Sequence, residues 1–283
     1  MKKRLFKSIL NQLNTEPDFK EQSGAQNDAL KEEDVSLRHE KNLETFKTLF
    51  SIPQNTDIKL REFTVRSLNR RAFILYISTL VDIMQIQEGI LEKLIAFDHH
   101  SEKIEDIVSY PVITTEKNIG AITELITGGT TALFIEGYPE CYLFETTKTP
   151  GRTIEKSQNE VIVKGAKEAF NEKVIDNISL LRKKIKNENL IVESQAVSKR
   201  SRNDVFFVYE KDLVNEELLQ KFKDKLQKLD VDTILDLSIL EQYLEERPRS
   251  LFPTLLYTER PDRAAAFIEE GHIALLMANS PSC

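Results

Sequence analysis

Residues 131–147 read TALFIEGYPECYLFETT. Two apolar runs, TALFIEG and CYLFETT, flank Gly137-Tyr138-Pro139-Glu140, and glycine with proline at that place supplies a tight turn between two strands. Strands this apolar need cover, and the sequence on the N-terminal side provides helices to give it.

Just upstream, Ile119, Ile122, Leu125 and Ile126 recur at helical spacing, and Gly128-Gly129 offer the left-handed stop that a helix end requires. Further back, Asp82 with Gln85 three residues on has the spacing of a capping box. Ile83, Ile86, Ile90, Leu94 and Ile95 form the apolar stripe of the helix it opens. Two strands precede it, IKLREFTV at 58–65 and RAFILYI at 71–77, the second so continuously apolar that cover on both faces is expected. Leu43, Phe46, Leu49 and Phe50 lie on one helical face before them. Residues 38–147 therefore predict a complete small α/β unit of four strands and three helices.

On the C-terminal side, residues 148–166 are rich in charge and turn formers around one short strand, EVIV, and read as a linker. From 167 to 283 the alternation resumes. Phe170, Val174, Ile178, Leu181 and Ile185 predict an amphipathic helix of about five turns. LIVESQAV at 190–197 and DVFFVY at 204–209 are strands, followed by a helix with the stripe Leu218, Leu219, Phe222, Leu226 and Leu229. Ser238 with Glu241 opens a short helix closed near Pro248. Pro261 belongs in the first turn of a last helix, Gly271 ends it, and HIALLM at 272–277 is a last strand. The fold class is α/β, with two small α/β subdomains joined by a turn- and charge-rich linker and preceded by a flexible segment over 1–37. Lys2, Lys3, Arg4 and Lys7 beside Leu5, Phe6, Ile9 and Leu10 form either a short amphipathic patch for an anionic membrane or partner, or simply a charged terminus.

Composition narrows the function. Of 283 residues 40% are hydrophobic and 30% charged, enough for real cores and against global disorder. The 39 basic residues against 46 acidic ones leave a formal charge of -7, which disfavours nucleic acid as a partner. Cys141 and Cys283 are no disulfide framework, and no stretch has the roughly 18–20 apolar residues of a membrane-spanning helix. His39, His99, His100 and His272 fit no metal spacing, and Gly128-Gly129 lacks the spacing of a phosphate loop. The expectation is no catalytic residue, no metal and no cofactor. The polar candidates are Arg152 after a Pro-Gly turn, with Glu155, then Arg200 and Arg202 in the Lys199–Arg202 turn, and finally Glu259, Arg260, Asp262 and Arg263. These charges serve either relay and interface contacts or local ion pairs, and Arg152 with Arg200 offers an anionic or zwitterionic ligand a grip in a cleft between the units.

Ordered segments then point to a family. They are Arg61-Glu62-Phe63, Tyr76-Ile77 and Leu80-Val81-Asp82; Gly151-Arg152 with Glu155; Glu160–Gly165 with Glu168 and Phe170; and Asn177–Leu181 with Arg182 and Ile185. Arg200-Ser201, the strand ending at Tyr209, Phe252-Pro253-Thr254, Tyr257–Arg263 and Glu270-Gly271 complete the set. Over about residues 38–281 the chain resembles the N-terminal soluble domain of the spore germinant receptor A subunit, the GerA family. The resemblance implies a two-subdomain soluble region, on the cytoplasmic side of the inner membrane of bacterial spores, preceding a membrane domain absent here. It implies B and C receptor subunits as partners, self-association of A subunits, a role like that of nutrient-gated channels and a small germinant as ligand. For Arg200-Ser201 and Thr258–Arg263 it implies structural or intersubunit roles and assigns no ligand. The pattern of the family would run on past Pro281-Ser282-Cys283 toward the membrane.

Overall fold

The computed structural model describes residues 27–96, 103–108, 110–148, 168–200, 203–245 and 255–283. It contains two sheets, one of five strands in the order β1-β2-β4-β5-β3 and one of three in the order β6-β7-β8. Every ladder in both is antiparallel.

The first sheet comprises β1 (Ile58–Val65), β2 (Arg70–Ile77), β3 (Ile113–Glu116), β4 (Thr131–Ile135) and β5 (Cys141–Phe144). The 131–147 hairpin is as expected, with Leu133 opposite Tyr142 and Gly137 at φ 83° in its turn. Apolar content sets strand position. All residues of β4 and β5 are buried, as are four consecutive residues of β2, and these three strands are central. The edges β1 and β3 keep their polar residues toward water. Burying a Leu or Phe of this kind stabilises by about 1.5–3 kcal/mol, and Phe134 stacks on Phe73 and meets Phe46 at a tilt within the core. Strand β3 is the fifth strand, one more than the sequence predicts, because Ile113–Glu116 is too short and polar to show a strand pattern.

Three helical segments cover this sheet: α1 (His39–Leu49), a helix running from the π-helical Gln85–Leu91 into α2 (Glu92–Ala96), and, after the one-turn α3 (Ile104–Ile107), α4 (Ile119–Thr127). Asp82 caps the second as predicted, its carboxylate accepting from the amides of Met84 and Gln85 at 3.0 and 3.3 Å. Gln85 does not reach back to complete the box and accepts from the Tyr110 hydroxyl at 3.0 Å. The wider π turn also rotates the stripe, so that Ile86, Ile90, Leu91 and Leu94 are buried while Ile83 is exposed.

Residues 27–37, expected as part of a flexible lead-in, are ordered. A helical turn at 27–31 and the strand-like step after it already pack on the unit. Val35 is buried and donates from its amide to the Lys117 carbonyl at 2.8 Å. Leu30 and Val35, five residues apart in a polar run, form no periodic pattern.

The second sheet comprises β6 (Leu190–Val197), β7 (Asn203–Glu210) and β8 (Ala274–Met277), with α5 (Val174–Lys184) and α8 (Pro261–Glu269) on one face and α6 (Glu216–Gln227) and α7 (Leu237–Leu244) on the other. Several boundaries differ from those expected. The stripe from Phe170 to Ile185 is buried throughout, but Phe170 precedes the helix, so α5 has 11 residues and not five turns. Asn177 explains the late start, accepting from the Asn171 amide and donating to the Asn171 carbonyl at 2.8 and 2.6 Å, which turns the chain before α5 begins. Leu218 of α6 is exposed. The cap of α7 is Asp236, which accepts from the Ile239 amide, with Ser238 bonded to that same carboxylate. Pro261 does open α8, and Gly271 closes it at φ 89°, where a Cβ would lie 2.7 Å from the Leu213 carbonyl oxygen. His272 lies in the turn before β8 and not in the strand.

Candidate functional site

A loop joins the two sheets. Residues 50–57, between α1 and β1, reach across to β6 and β7. Thr56 donates from its amide and its hydroxyl to the Val192 carbonyl, both at 2.8 Å, and Asn55 accepts from the Val192 amide at 2.9 Å. The Asn55 amide group donates to the Leu190 carbonyl at 3.0 Å, and Gln54 donates to the Tyr209 hydroxyl at 2.9 Å.

Arg182 of α5 occupies the centre of this seam. Its Nε and Nη2 donate to the two carboxylate oxygens of Asp57 at 3.0 and 2.7 Å, a bidentate pair. Nη2 also reaches Asn55 Oδ1 at 2.9 Å, and Nη1 the Leu190 carbonyl at 2.8 Å. Thr79 adds a hydroxyl to the Asp57 carboxylate at 3.1 Å. Both charged side chains are almost fully buried, 2% and 5% exposed. Charges so deeply desolvated persist only when each hydrogen-bonding atom is served, and this network serves them from both units. Around it, Lys211 donates to Ser51 at 3.0 Å, Lys31 pairs with Glu188, and Asn27 donates to Asn189 at 3.2 Å.

The residues singled out from the sequence lie elsewhere. Arg152, Glu155 and Arg202 fall outside the described residues, as do the EVIV segment, the basic patch at 2–10 and His99-His100. Arg200 stands on the β6–β7 turn, 80% exposed, 3.5 Å from Asp232. The seam contacts Leu190 and Tyr209 at the other end of the same hairpin, roughly 20 Å away at ~3.3 Å per residue, so Arg200 does not line a cleft between the units. Glu259 to Arg263 form the entry to α8. Arg260 donates through Nε and Nη2 to Asp262 at 3.2 and 2.7 Å, which holds that carboxyl below the usual aspartate range. The Arg263 guanidinium lies 5.7 Å from the Phe267 ring centre. Glu259 is buried and its carbonyl accepts from the Phe170 amide at 2.9 Å.

Asn55, Asp57 and Tyr209 were not predicted as site residues, and Arg182 only as part of a family pattern. One signal was available: Arg182 is four residues after Ile178 and next to Leu181, on the apolar stripe of α5, where an unpaired guanidinium is not tolerated. Elsewhere, an apolar groove of about 610 Å³ opens beside β8, lined by Leu218, Phe222, Leu255, Tyr257, Phe267 and Leu275 among others. Among the described residues no group of three or more His, Cys, Asp or Glu is arranged to hold a metal ion, and no helix is long and apolar enough to cross a membrane.

The chain is 28% identical over 248 residues to Spore germination protein B1 of Bacillus subtilis, covering 85% of this chain and 50% of that protein. It is 29% identical to Stage V sporulation protein AF of the same organism, covering 86% and 50%, and 27% identical to Spore germination protein KA, covering 81% and 44%. The chain thus spans about half the length of the curated relatives it matches. Its fold is that of the crystal structure of the N-terminal domain of the A subunit of the Bacillus megaterium spore germinant receptor GerK3, with a TM-score of 0.66 at 24% identity over 88% of this chain and 94% of that one. The profile of the Bacillus/Clostridium GerA spore germination proteins matches residues 44–283, and the chain belongs to this GerA family.

Proposed function

We propose that this chain is the N-terminal part of the A subunit of a nutrient-responsive germination receptor, contributing to receptor assembly and signal relay without catalysing a reaction. In this reading it lies on the cytoplasmic side of the spore inner membrane, ahead of a membrane domain, and contacts B and C subunits and further A subunits. The observation that carries the relay reading is the Asp57–Arg182 network. It joins two separately packed sheets through a buried, hydrogen-bonded joint, so a displacement of one unit is passed to the other and not absorbed by a soft interface. The similarity to Spore germination protein B1 and to Stage V sporulation protein AF is nearly equal, so the receptor role rests on the family and on this joint.

The other reading is direct binding of a small germinant between the units. Loop 50–57 and Arg182 bond to one another in the seam, and Arg200 pairs with Asp232 on the β6–β7 turn, which favours the relay reading. The two readings separate in spores carrying Arg260→Ala or Arg263→Ala receptors, with receptor quantified in spore membranes beside germination dose-response curves. Relay and assembly predict reduced abundance with a small change in the half-response concentration. Normal abundance with a large shift in that concentration would defeat the proposal.

A further inference from the structure

Beside the Asp57–Arg182 network lies a second cluster of buried charge that the relay reading leaves unused. Glu188, in the turn before β6, and Glu210, the last residue of β7, are 7% and 4% exposed, and Asp212 follows two residues later. Glu210 is register partner to Leu190, whose carbonyl takes both Asn55 and Arg182. The residues on either side of it, Tyr209 and Lys211, each bond to the N-terminal unit, through Gln54 and Ser51. Glu188 pairs with Lys31, and the Asn189 side chain links Asn27 to Asp212 Oδ2. The cluster is therefore part of the seam.

Its charges do not balance. Asp212, Glu188 and Glu269 of α8 surround Glu210 with negative charge, and Asp28 adds to that around Asp212. Arg182 offsets part of this at Glu210, and Lys211 and Lys31 at Asp212, but Arg182 is held by both oxygens of Asp57, Lys31 by Glu188, and Lys211 reaches Ser51. Glu210 Oε2 receives only a long bond from Asn187, at 3.3 Å. Asp212 Oδ1 is buried with no hydrogen-bond partner among the described residues. Buried carboxylates that repel one another hold their protons to higher pH than solvated ones.

We propose that the Glu188–Glu210–Asp212 cluster makes the seam proton-sensitive, with a proton on Glu210 holding the two units together and its loss loosening loop 50–57 from β6. Burial first, and then the charge of Asp212, push the Glu210 carboxyl up to about 7, and burial raises Asp212 as well. The sign follows from linkage. Below the ordinary glutamate range both the joined and the parted seam carry the proton, and Glu210 makes no difference between them. As pH rises from that range through about 7 the joined state loses stability, and the full loss is present above it.

The amides of Thr56 and Val192 donate across the seam and report its opening directly. In the 283-residue chain, their hydrogen-exchange protection, corrected for intrinsic exchange, is expected to fall about tenfold between about pH 6 and about pH 8, with no such fall at Phe73 inside the first sheet. Glu210→Gln, which is permanently neutral, should hold the low-pH protection throughout. A flat wild-type profile, the same slope in Glu210→Gln, or an equal fall at Phe73 would each overturn the proposal. If Glu210→Gln does not fold, the carboxyl carbon of Glu210, followed by NMR in the wild type and in Asp212→Asn, gives the answer. It should titrate well above ordinary glutamates in the first and lower in the second, and a wild-type midpoint in the ordinary range ends the idea.

Discussion

Two arginines of the C-terminal unit do opposite work. Arg182 sits mid-helix, buried, and binds groups 125 and 127 residues away in sequence. Arg260 sits at a helix entry, 31% exposed at its side chain, and binds Asp262 two residues on. The first pair fixes how one unit sits on the other, and the second closes within the entry to α8. Burial makes the difference: removing one partner of a desolvated pair strands a charge without water, whereas at the α8 entry solvent replaces the lost partner.

That contrast can be broken at several points. Arg182→Ala or Asp57→Ala should destabilise the chain by about 3–5 kcal/mol in chemical denaturation, because each leaves the other charge buried and alone. Combining Arg182→Met with Asp57→Leu should recover much of that loss, since an apolar pair strands no charge. If the double variant is as unstable as the single ones, the network contributes stability of its own and is more than a positioning device. Gly271→Ala comes next, expected at about 1–3 kcal/mol, because a Cβ there meets the Leu213 carbonyl in a backbone conformation that side chains rarely adopt.

The smallest expected effect is that of Arg260→Ala, below about 1 kcal/mol in a thermal or denaturant melt of the isolated chain. It should depend on pH. Arg260 lowers the Asp262 carboxyl, so the pair contributes above the ordinary aspartate range and the contribution disappears as pH falls through the lowered value. Wild type and variant should therefore differ at neutral pH and converge in acid. A difference at neutral pH as large as that of Arg182→Ala would show that Arg260 does more than pair with Asp262.

Much of the fold was legible because it follows from local chemistry. The 131–147 hairpin, the continuously apolar β2, the Asp82 cap, Pro261 at the start of α8 and Gly271 at its end are each set by a few neighbouring residues. The misses share a cause. Strand β3 is an edge strand that its partner β5 holds in place, Val35 is fixed by Lys117, and Phe170 is buried by contacts outside the helix that its spacing suggested. The seam was hidden more deeply. Asn55 and Asp57 lie in a loop with no pattern, and although Arg182 interrupts an apolar stripe, its partner can be named only after two sheets are packed together. The sequence by itself determined most of the strands and helices and most of their buried faces. Tertiary structure alone decided that the charge on α5 meets the carboxylate on loop 50–57, because a buried ion pair is defined by the water that both units exclude together and not by the residues of either one.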